Sequence, residues 1–397
     1  MTDQASRTQI AIVGGGPSGL MLAHLLHLSG IESIVLERAT EEHVAGRVRA
    51  GVLEQGTVDL LHAAGLGERL DREGMRHRGI SIAFHGKRQY VDFAERTEGR
   101  VITIYGQNEV VHDLLAARAA VGRPPLFGVT EVELHDVASS RPRVTFRSAG
   151  GAPCEIVCDF IAGCDGFHGV SRPALPPKVA RLFERTYPFA WLGVLADAPP
   201  SSSELVYSLH DRGFALFSMR SPSVTRLYLQ VGPDEDLAAW SDDRIWSELR
   251  WRLETTDGWR PNEGRITQKS IATMRSFMCE PMRYGRLFLA GDAAHIVPPT
   301  GAKGLNLAMA DVKRLASAFA AFYARGRQDA IDTYSARGLC RAWNAQRFSW
   351  WMTSALHIAP DATPFDRRRQ VADLEYLLSS DAAMTSLAES YVGTTFD

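Results

Sequence analysis

Three glycines near the start of the chain, Gly14, Gly16 and Gly19, have the spacing of a dinucleotide-binding turn. They follow the apolar run Ile10–Val13 and open a leucine-rich stretch. Such glycines allow a tight turn, let the backbone approach a pyrophosphate and let a helix pack closely on a strand. The next apolar run ends in Glu37, whose carboxylate can accept hydrogen bonds from a ribose. This order of strand, turn, helix, strand and acid predicts a nucleotide cofactor.

Two later aspartates lie in glycine turns that follow apolar runs. One is Asp165, in Cys164-Asp165-Gly166, and the other is Asp292, in Gly291-Asp292-Ala293-Ala294-His295. Together with the first turn they favour FAD over NAD as the cofactor. The alternative for each is an ordinary turn or helix-cap aspartate.

Ser218 and Arg220 are two positions apart on one predicted strand, so both side chains project from the same face. Arg226 and Tyr228 share a face of the next predicted strand. An arginine inside an apolar sheet needs an anionic partner, and its planar guanidinium suits a carboxylate. A structural salt bridge for Arg220, a core tyrosine at Tyr228 and a surface role for Arg226 are the alternatives.

Apolar periodicity predicts the framework that positions these residues. Strands are predicted over Ile80 to Phe84, Gln89 to Phe93, Val101 to Tyr105, Arg143 to Arg147 and Ile156 to Ala162. A helix is predicted around Val58, Leu60 and Leu61, and another over Asn108 to Ala120. The Ile156 to Ala162 run is nearly continuous in apolar residues, as in a strand buried on both faces.

From about Phe189 to Ile271 the pattern changes to short strands with Gly, Pro and Ser turns. These strands are predicted over Trp191 to Ala196, Leu205 to Ser208, Phe214 to Met219 and Leu227 to Val231. A buried strand returns at Leu287 to Ala290, and helices follow Leu305. We therefore expect an α/β chain in which a mostly antiparallel substrate-binding sheet is inserted into a discontinuous Rossmann-like domain. The expected boundaries are 1–78, 100–186 and 270–320 for the cofactor domain, 79–99 and 187–269 for the sheet domain, and 321–397 for a C-terminal helical region.

The composition is that of an ordinary globular protein, with 45% hydrophobic and 23% charged residues and a net charge of −2. This charge predicts no nucleic-acid partner. The five cysteines lack paired spacing, so we expect free thiols in the cytosol and no metal site. The uncharged stretch from Thr8 to Ile31 contains glycines, a proline and two histidines, which argue against a membrane segment.

Four longer stretches resemble the FAD-dependent aromatic hydroxylases over nearly the whole length of the chain. They are Gly46 to Gln55, Cys164 to Arg172, Gly291 to Asn306 and Arg347 to Ser354. The resemblance implies that NADPH or NADH reduces the flavin and that O2 forms a flavin C4a-hydroperoxide. The terminal oxygen is then transferred to the ring of 4-hydroxybenzoate, beside its phenol, to give 3,4-dihydroxybenzoate.

The resemblance also implies a role for individual residues. The FAD-binding set is Gly14, Gly16, Ser18, Gly19, Glu37, Arg38, Arg47, Arg49, Gln107, Asp165, Arg226, Asp292, Gly301, Leu305 and Asn306. The substrate-binding set is Ser218, Arg220, Tyr228, Tyr207, Pro299 and Thr300. The helix that begins near Leu305 presents free N–H groups, which would stabilise the negative charge of a reduced flavin. Helix capping remains the alternative for Gln107, Thr300 and Asn306.

The implied proton relay runs from the substrate phenol to Tyr207, then Tyr391, then His77, with the Pro299 carbonyl nearby. A phenolate is a better nucleophile than a phenol, and a histidine that titrates near neutral pH can release the proton to solvent. Half-buried packing tyrosines, and a solvated histidine in a basic patch, are the alternatives.

The nicotinamide nucleotide has no glycine turn of its own, because FAD occupies the one near the start. The resemblance places it in a groove with Arg38, Arg47, Arg49, His168, Arg172 and Arg275. Ala39 and His43 depart from the family pattern, which leaves NADPH or NADH open. Trp343, Trp350, Trp351 and Met352 suggest a homodimer through the C-terminal helices. The same chemistry on another hydroxybenzoate, a non-catalytic aromatic-acid sensor, and an NAD-dependent dehydrogenase are the rival functions.

Overall fold

The computed structural model describes residues 5–47, 49 and 51–396. The helices are α1 Pro17–Leu28, α2 Glu41–Gly46, α3 Gln55–Ala63, α4 Gly67–Glu73, α5 Phe93–Arg96, α6 Gln107–Ala120, α7 Asp242–Leu253, α8 Gly304–Arg325, α9 Gln328–Asp332, α10 Tyr334–Leu356, α11 Pro364–Ser379 and α12 Asp381–Val392. Strands up to residue 163 are β1 Ala5–Arg7, β2 Ile10–Val13, β3 Ser33–Glu37, β4 Val52–Leu53, β5 Met75–His77, β6 Gly79–Phe84, β7 Lys87–Asp92, β8 Ile102–Ile104, β9 Leu126–Phe127, β10 Thr130–His135, β11 Arg143–Arg147, β12 Pro153–Val157 and β13 Phe160–Gly163. The later strands are β14 Arg181–Asp197, β15 Val206–His210, β16 Gly213–Ser221, β17 Val224–Val231, β18 Arg265–Glu280, β19 Arg283–Tyr284, β20 Leu287–Leu289 and β21 His295–Ile296.

A six-stranded sheet in the order β19-β20-β13-β2-β3-β9 forms the centre of the first core. Its strands run parallel except for β19. Every residue of β2, β13 and β20 is buried, as expected where helices cover both faces. Helix α1 contacts both α6 and α8, and residues of all three helices join this core. The predicted Rossmann-like unit is confirmed.

The predicted strand over Ile156 to Ala162 is wrong as a single element. The chain forms β12 in a four-stranded sheet of order β1-β12-β11-β10, then β13 in the six-stranded sheet. Between them, the N–H of Cys158 donates to the Pro142 carbonyl and the N–H of Asp159 donates to the Gln9 carbonyl. An apolar run has no signal for a change of hydrogen-bonding partner, so the sequence pattern missed the break.

The predicted antiparallel sheet is an eight-stranded sheet of order β21-β18-β14-β17-β16-β15-β6-β7. Only the β15–β6 pair is parallel among the pairings described for this sheet. A second hydrophobic core lies against it, built from residues such as Trp191, Phe214, Phe217 and Leu229. The sheet therefore has its own interior, as expected for a domain inserted into another.

The long strands β14 and β18 pair with each other and link the two cores. Phe277 and Cys279 of β18 join the first core, whereas Met274 joins the second. Their register shifts between Thr186 and Ala190. The expected domain boundaries at 186/187 and 269/270 therefore fall inside one continuous strand pair rather than in loops.

The C-terminal helices pack on the second core. Phe348 and Met352 of α10 and Tyr391 of α12 are among its buried residues. Trp343 and Trp350 are exposed on α10. Among the described residues, no helix is both long and apolar enough to cross a membrane.

Candidate active site

At Gly14 and Gly19 of the first glycine turn, the backbone segments approach one another too closely to leave room for side chains. Gly14 has φ +107°, and a Cβ atom there would lie 2.3 Å from the Cys164 carbonyl oxygen. A Cβ on Gly19 would lie 1.9 Å from the Gly14 oxygen. Gly16 immediately precedes α1, which has no side-chain cap, and the space in front of Gly16 is open. The N–H groups of the first helical turn are thus left for a ligand.

The Glu37 carboxylate already holds two backbone segments together. One oxygen accepts the Gly15 N–H at 2.6 Å, and the other accepts the Ala39 N–H at 2.8 Å. Each carboxylate oxygen has a second lone pair, so both can still accept from ribose hydroxyls. The predicted acid is therefore oriented before any ligand arrives.

Asp292 is exposed at the end of the turn that follows β20. Although its surface is exposed, the surrounding protein desolvates the Asp292 carboxyl and raises its pKa, while the nearby charges of His295, Arg49 and Arg47 lower it. The turn is tied to α8 by Asp311, whose Oδ2 accepts the Gly291 N–H at 3.0 Å. The hydrogen bond from Gly291 to Asp311 therefore fixes the turn that carries Asp292.

The same Asp311 oxygen lies 2.7 Å from His295 Nε2, and both side chains are buried. Burial disfavours the charged ring, but the charge and hydrogen bond of Asp311 outweigh burial and raise the pKa of His295. The pairing with Asp311 therefore favours the protonated ring of His295, and the charge of Asp292 acts in the same direction. Sequence reasoning assigned neither His295 nor Asp311 a role.

Asp165 caps its own turn, because its Oδ2 accepts the Ser171 N–H at 2.8 Å. Its Oδ1 is buried and has no hydrogen-bond partner in the part of the chain that the structure describes. Burial also raises the pKa of this carboxyl. A buried oxygen without a partner is costly, so a ligand hydroxyl would stabilise it.

The loop from Gly301 into α8 lies between the two cores. Ala302 has φ +54°, and α8 begins at Gly304 without a side-chain cap. Gly301 packs against α10, since a Cβ there would lie about 3 Å from Ser349 and Phe348. Leu305 is half-buried in the first turn, where the free N–H groups and the helix dipole favour negative charge.

The side chain of Asn306 is engaged within the protein. Its Oδ1 accepts the Glu54 N–H and the Thr57 hydroxyl, and its Nδ2 donates to the carbonyls of Val52 and Ala302. This side chain therefore holds the loop in place and has no free donor for a ligand. Gln107 is half-buried as the first residue of α6, and Ser18 is buried near Gly291.

The predicted strand positions of Ser218, Arg220, Arg226 and Tyr228 are confirmed. Ser218 on β16 pairs with Arg226 on β17, and Leu216 pairs with both Tyr228 on β17 and Tyr207 on β15. These side chains share one face of the sheet. The Ser218 hydroxyl donates to the Arg226 carbonyl at 2.9 Å.

This face carries two positive charges. Burial lowers the pKa of Arg220 to about 10, and the charge of Arg226 acts in the same direction. Arg220 Nη2 donates to the Arg49 carbonyl. Nε and Nη1 of Arg226 are buried without a hydrogen-bond partner among the described residues. Such a pair calls for an anion, because an uncompensated buried charge is costly.

Tyr207 and Tyr391 are both buried and their hydroxyls are hydrogen-bonded to each other. The Tyr207 hydroxyl also donates to the Thr300 carbonyl at 3.1 Å. Burial raises the pKa of both phenols. The Thr300 hydroxyl bonds to that of Thr353, at 2.9 Å. The Pro299 carbonyl accepts the Ala302 N–H, and the carbonyl that accepts from Tyr207 is that of the next residue, Thr300.

His77 lies on β5 and is buried rather than solvated. Burial lowers its pKa to about 4, and neither ring nitrogen has a hydrogen-bond partner among residues 5–47, 49 and 51–396. The structure joins Tyr207 to Tyr391 by a hydrogen bond but does not join either to His77 in this way.

Part of the expected nicotinamide set forms one cluster around Phe167. The guanidinium groups of Arg172 and Arg275 lie 4.5 and 4.7 Å from its ring centroid, and the exposed His168 is adjacent. Arg172 also donates to the Phe167 carbonyl at 2.7 Å. The remaining members of the set, Arg38, Arg47 and Arg49, are exposed, and the last two lie near enough to Asp292 to lower the pKa of its carboxyl.

A buried ion pair that sequence reasoning did not assign supports the relay tyrosines. Lys303 Nζ lies 2.6 Å from Glu54 Oε1 and donates to the Tyr391 carbonyl at 2.9 Å. Burial lowers the pKa of Lys303, and Glu54 opposes that shift. In the sequence, each of these charges lies beside a short apolar stretch, Glu54 after Gly51 to Leu53 and Lys303 between Ala302 and Gly304.

Comparison with known proteins gives consistent results. A family model described as FAD binding domain matches residues 7–349. The chain is 48% identical to p-hydroxybenzoate hydroxylase of Acinetobacter baylyi, over 99% of this chain and 97% of that protein. Among solved structures, p-nitrophenol 4-monooxygenase from Pseudomonas putida superposes with a TM-score of 0.82 at 19% identity, over 98% of this chain and 99% of that chain. A ternary complex of aklavinone-11 hydroxylase with FAD and aklavinone superposes with a TM-score of 0.73 at 21% identity. The match covers 90% of this chain and 70% of that chain.

Proposed function

Since the chain belongs to the FAD-binding domain family of flavin-dependent monooxygenases, we propose that it hydroxylates 4-hydroxybenzoate to 3,4-dihydroxybenzoate. The electron donor is NADPH or NADH, and O2 is the cosubstrate. The assignment of the substrate rests on the 48% identical relative and on the chemistry of the face formed by β15, β16 and β17.

The residues present fit FAD. Three features suit a dinucleotide: the close backbone approach at Gly14, the uncapped first turn of α1, and the buried Oδ1 of Asp165. None of the described residues bonds to that oxygen, so a ligand hydroxyl can do so. Glu37 would hold a ribose, Asp292 the ribityl chain, and the start of α8 the flavin ring. When bound, FAD supplies the redox chemistry that takes electrons from the nicotinamide and activates O2.

The proposal that the substrate is an aromatic acid rests on one observation. Two guanidinium groups, Arg220 and Arg226, lie on one sheet face, and Arg226 has two buried nitrogens without a partner in the described chain. Tyr207 lies on the same face, two strands away from Tyr228. Two strand spacings are about 10 Å. A benzoate bridges such a span, with its carboxylate at Arg220, Ser218 and Tyr228 and its phenol at Tyr207.

The tyrosine pair then transfers a proton rather than storing charge. Because burial raises the pKa of both phenols, each remains protonated at neutral pH. When the substrate phenol gives its proton to Tyr207, that hydroxyl passes its own proton to Tyr391. His77 is the proposed last member of the relay. Burial lowers its pKa to about 4, so the ring is neutral at pH 7 and would hold the proton only in transit to solvent.

The buried setting also protects the reaction. Tyr207, Tyr391 and Thr300 are each at most 1% exposed, so water is excluded around the phenol. Water entering this pocket would favour the release of hydrogen peroxide without hydroxylation. Hydride delivery needs contact with the nicotinamide, whose proposed site is the Phe167 cluster with Arg172 and Arg275. A bound flavin would therefore have to serve both the tyrosine pair and the Phe167 cluster, which are built from different elements.

The deciding experiment combines a visible spectrum with a turnover panel. Purified protein should carry a yellow flavin, and 4-hydroxybenzoate should stimulate oxidation of NADPH or NADH with 3,4-dihydroxybenzoate as the product. A colourless protein would overturn the cofactor assignment. Flavin-dependent turnover of only 3-hydroxybenzoate or a dihydroxybenzoate would overturn the substrate, and binding without turnover would indicate a sensor.

We also propose that the enzyme is a cytosolic homodimer. The exposed Trp343 and Trp350 on α10 support a second copy as partner, and the five unpaired cysteines suit a reducing compartment. Light scattering of the purified protein should give twice the chain mass. A monomer at micromolar concentration would contradict this proposal.

A further inference from the structure

Tyr228 lies over a glycine on the neighbouring strand. Gly193 of β14 is its cross-strand partner. A Cβ atom on Gly193 would lie 3.1 Å from Cε1 and 3.2 Å from Cδ1 of the Tyr228 ring. Both atoms belong to a ring held by its neighbours, so the contact can be relieved only by moving the whole ring. Because Gly193 has no side chain, the Tyr228 ring can pack directly against the backbone of β14.

The backbone gives no other reason for glycine at this position. Gly193 is absent from the described glycines with positive φ, and it lies in a regular stretch of β14 between the buried Leu192 and Val194. Glycine inside a strand weakens the strand and often marks a close approach by another group. Here the approaching group is the Tyr228 ring.

Two neighbours hold the ring from the sides. Trp191, on the same face of β14, has its ring centroid 4.7 Å from that of Tyr228, and the Arg226 guanidinium lies 5.1 Å from the Tyr228 centroid. Together with Gly193 they form a slot for the tyrosine. The Tyr228 hydroxyl therefore has a defined position on the face that also carries Ser218 and Arg220.

Trp191 is itself fixed by His357. The indole N–H donates to His357 Nε2 at 2.6 Å, and the opposite ring nitrogen lies 3.0 Å from the Thr353 carbonyl. His357 is therefore neutral with its proton on Nδ1. The ring stacks on Phe189 and Phe214, with centroids 4.7 and 4.3 Å away. This support reaches from α10 to the substrate face.

We propose that Gly193 is a specificity-determining position, with Trp191 and His357 as positioning residues for Tyr228. The inference rests on the proposed function, in which the Tyr228 hydroxyl binds the substrate carboxylate. A side chain at residue 193 displaces the Tyr228 ring, so the glycine determines where the Tyr228 hydroxyl meets the carboxylate of an acid whose other end lies at Tyr207.

The test is a double-mutant cycle on the dissociation constant of 4-hydroxybenzoate, measured by perturbation of the flavin spectrum in the holoenzyme. We expect Gly193→Ala to weaken binding about tenfold, as for a lost hydrogen bond to a charged group. In the Tyr228→Phe background the same substitution should change binding less than twofold. The kcat at saturation should fall much less than kcat/KM.

Gly150→Ala is the matched control, because Gly150 lies in a remote turn where only Ser148 comes within 4 Å of the added atom. An equal tenfold effect in both backgrounds, or no effect in either, would overturn the inference. If Gly193→Ala does not fold, Trp191→Phe replaces it, and an unchanged dissociation constant in that variant is the overturning result. Failure of the wild-type holoenzyme to bind 4-hydroxybenzoate would instead overturn the proposed function and this inference with it.

Discussion

The hydroxyl groups of Tyr207 and Tyr391 are hydrogen-bonded, although the two residues are 184 positions apart in the chain. Tyr207 comes from β15 of the inserted sheet, and Tyr391 comes from α12 at the end of the C-terminal helices. The pair therefore forms only when the helices pack on the sheet. The Thr300 carbonyl, from the loop that leads into α8, is the third partner.

Replacing Tyr207 with phenylalanine should uncouple the enzyme. The variant should bind 4-hydroxybenzoate and oxidise the nicotinamide, because neither step needs the Tyr207 hydroxyl. Hydroxylation should slow about 100-fold or more, the contribution of a positioned proton acceptor. The measurement is the ratio of 3,4-dihydroxybenzoate to hydrogen peroxide formed per nicotinamide oxidised. Tyr187→Phe is the control, since Tyr187 is also buried but its hydroxyl is hydrogen-bonded to that of Ser276. Tight coupling in Tyr207→Phe would remove the relay from the mechanism.

Arg220→Lys should weaken the binding of 4-hydroxybenzoate by about 10- to 100-fold, since a lysine cannot make the bidentate contact that a guanidinium makes. The lysine is also costly to keep charged where burial already lowers the pKa of Arg220. A titration of the flavin spectrum measures the dissociation constant. Arg244→Lys, on α7 of the same domain, should leave it unchanged. An unchanged constant in Arg220→Lys would contradict the carboxylate site.

The His295–Asp311 pair should make stability depend on pH. Because the folded-state pKa of His295 is raised, its contribution is complete below the ordinary histidine pKa of about 6.5. The contribution is lost as the pH rises through the higher folded-state pKa. We expect the melting temperature to fall over that range, and His295→Asn to flatten the profile. Thermal melts from pH 6 upward test this, and a parallel loss in wild type and variant would contradict it.

Glu37→Gln should weaken FAD binding about tenfold or more. The two carboxylate oxygens accept from Gly15 and Ala39, and an amide has only one oxygen to offer. The other backbone N–H would then face an NH2 group, at a cost of about 1–3 kcal/mol. The dissociation constant of FAD is measured from the fluorescence of the released flavin. Glu41→Gln, exposed on α2, is the control and should bind FAD normally. Equal affinity in both variants would remove Glu37 from the FAD site.

Local residue patterns were enough for much of the fold. The glycine turn with Glu37, the strands β16 and β17, and the shared face of Arg226 and Tyr228 follow from spacing alone, because strand and helix periods act over a few residues. The resemblance of longer motifs to a known family supplied the roles of residues that no spacing connects, Tyr207 and Tyr391 among them.

Tertiary packing decided the rest. It paired β14 with β18 across both cores, bonded Tyr207 to Tyr391, and set Asp311 against Gly291 and His295. It also engaged the Asn306 side chain within the protein, where a cofactor contact was expected. These partners come from separate elements, and the free energy of their contacts depends on burial and on three-dimensional distance. Neither quantity leaves a periodic trace along the chain.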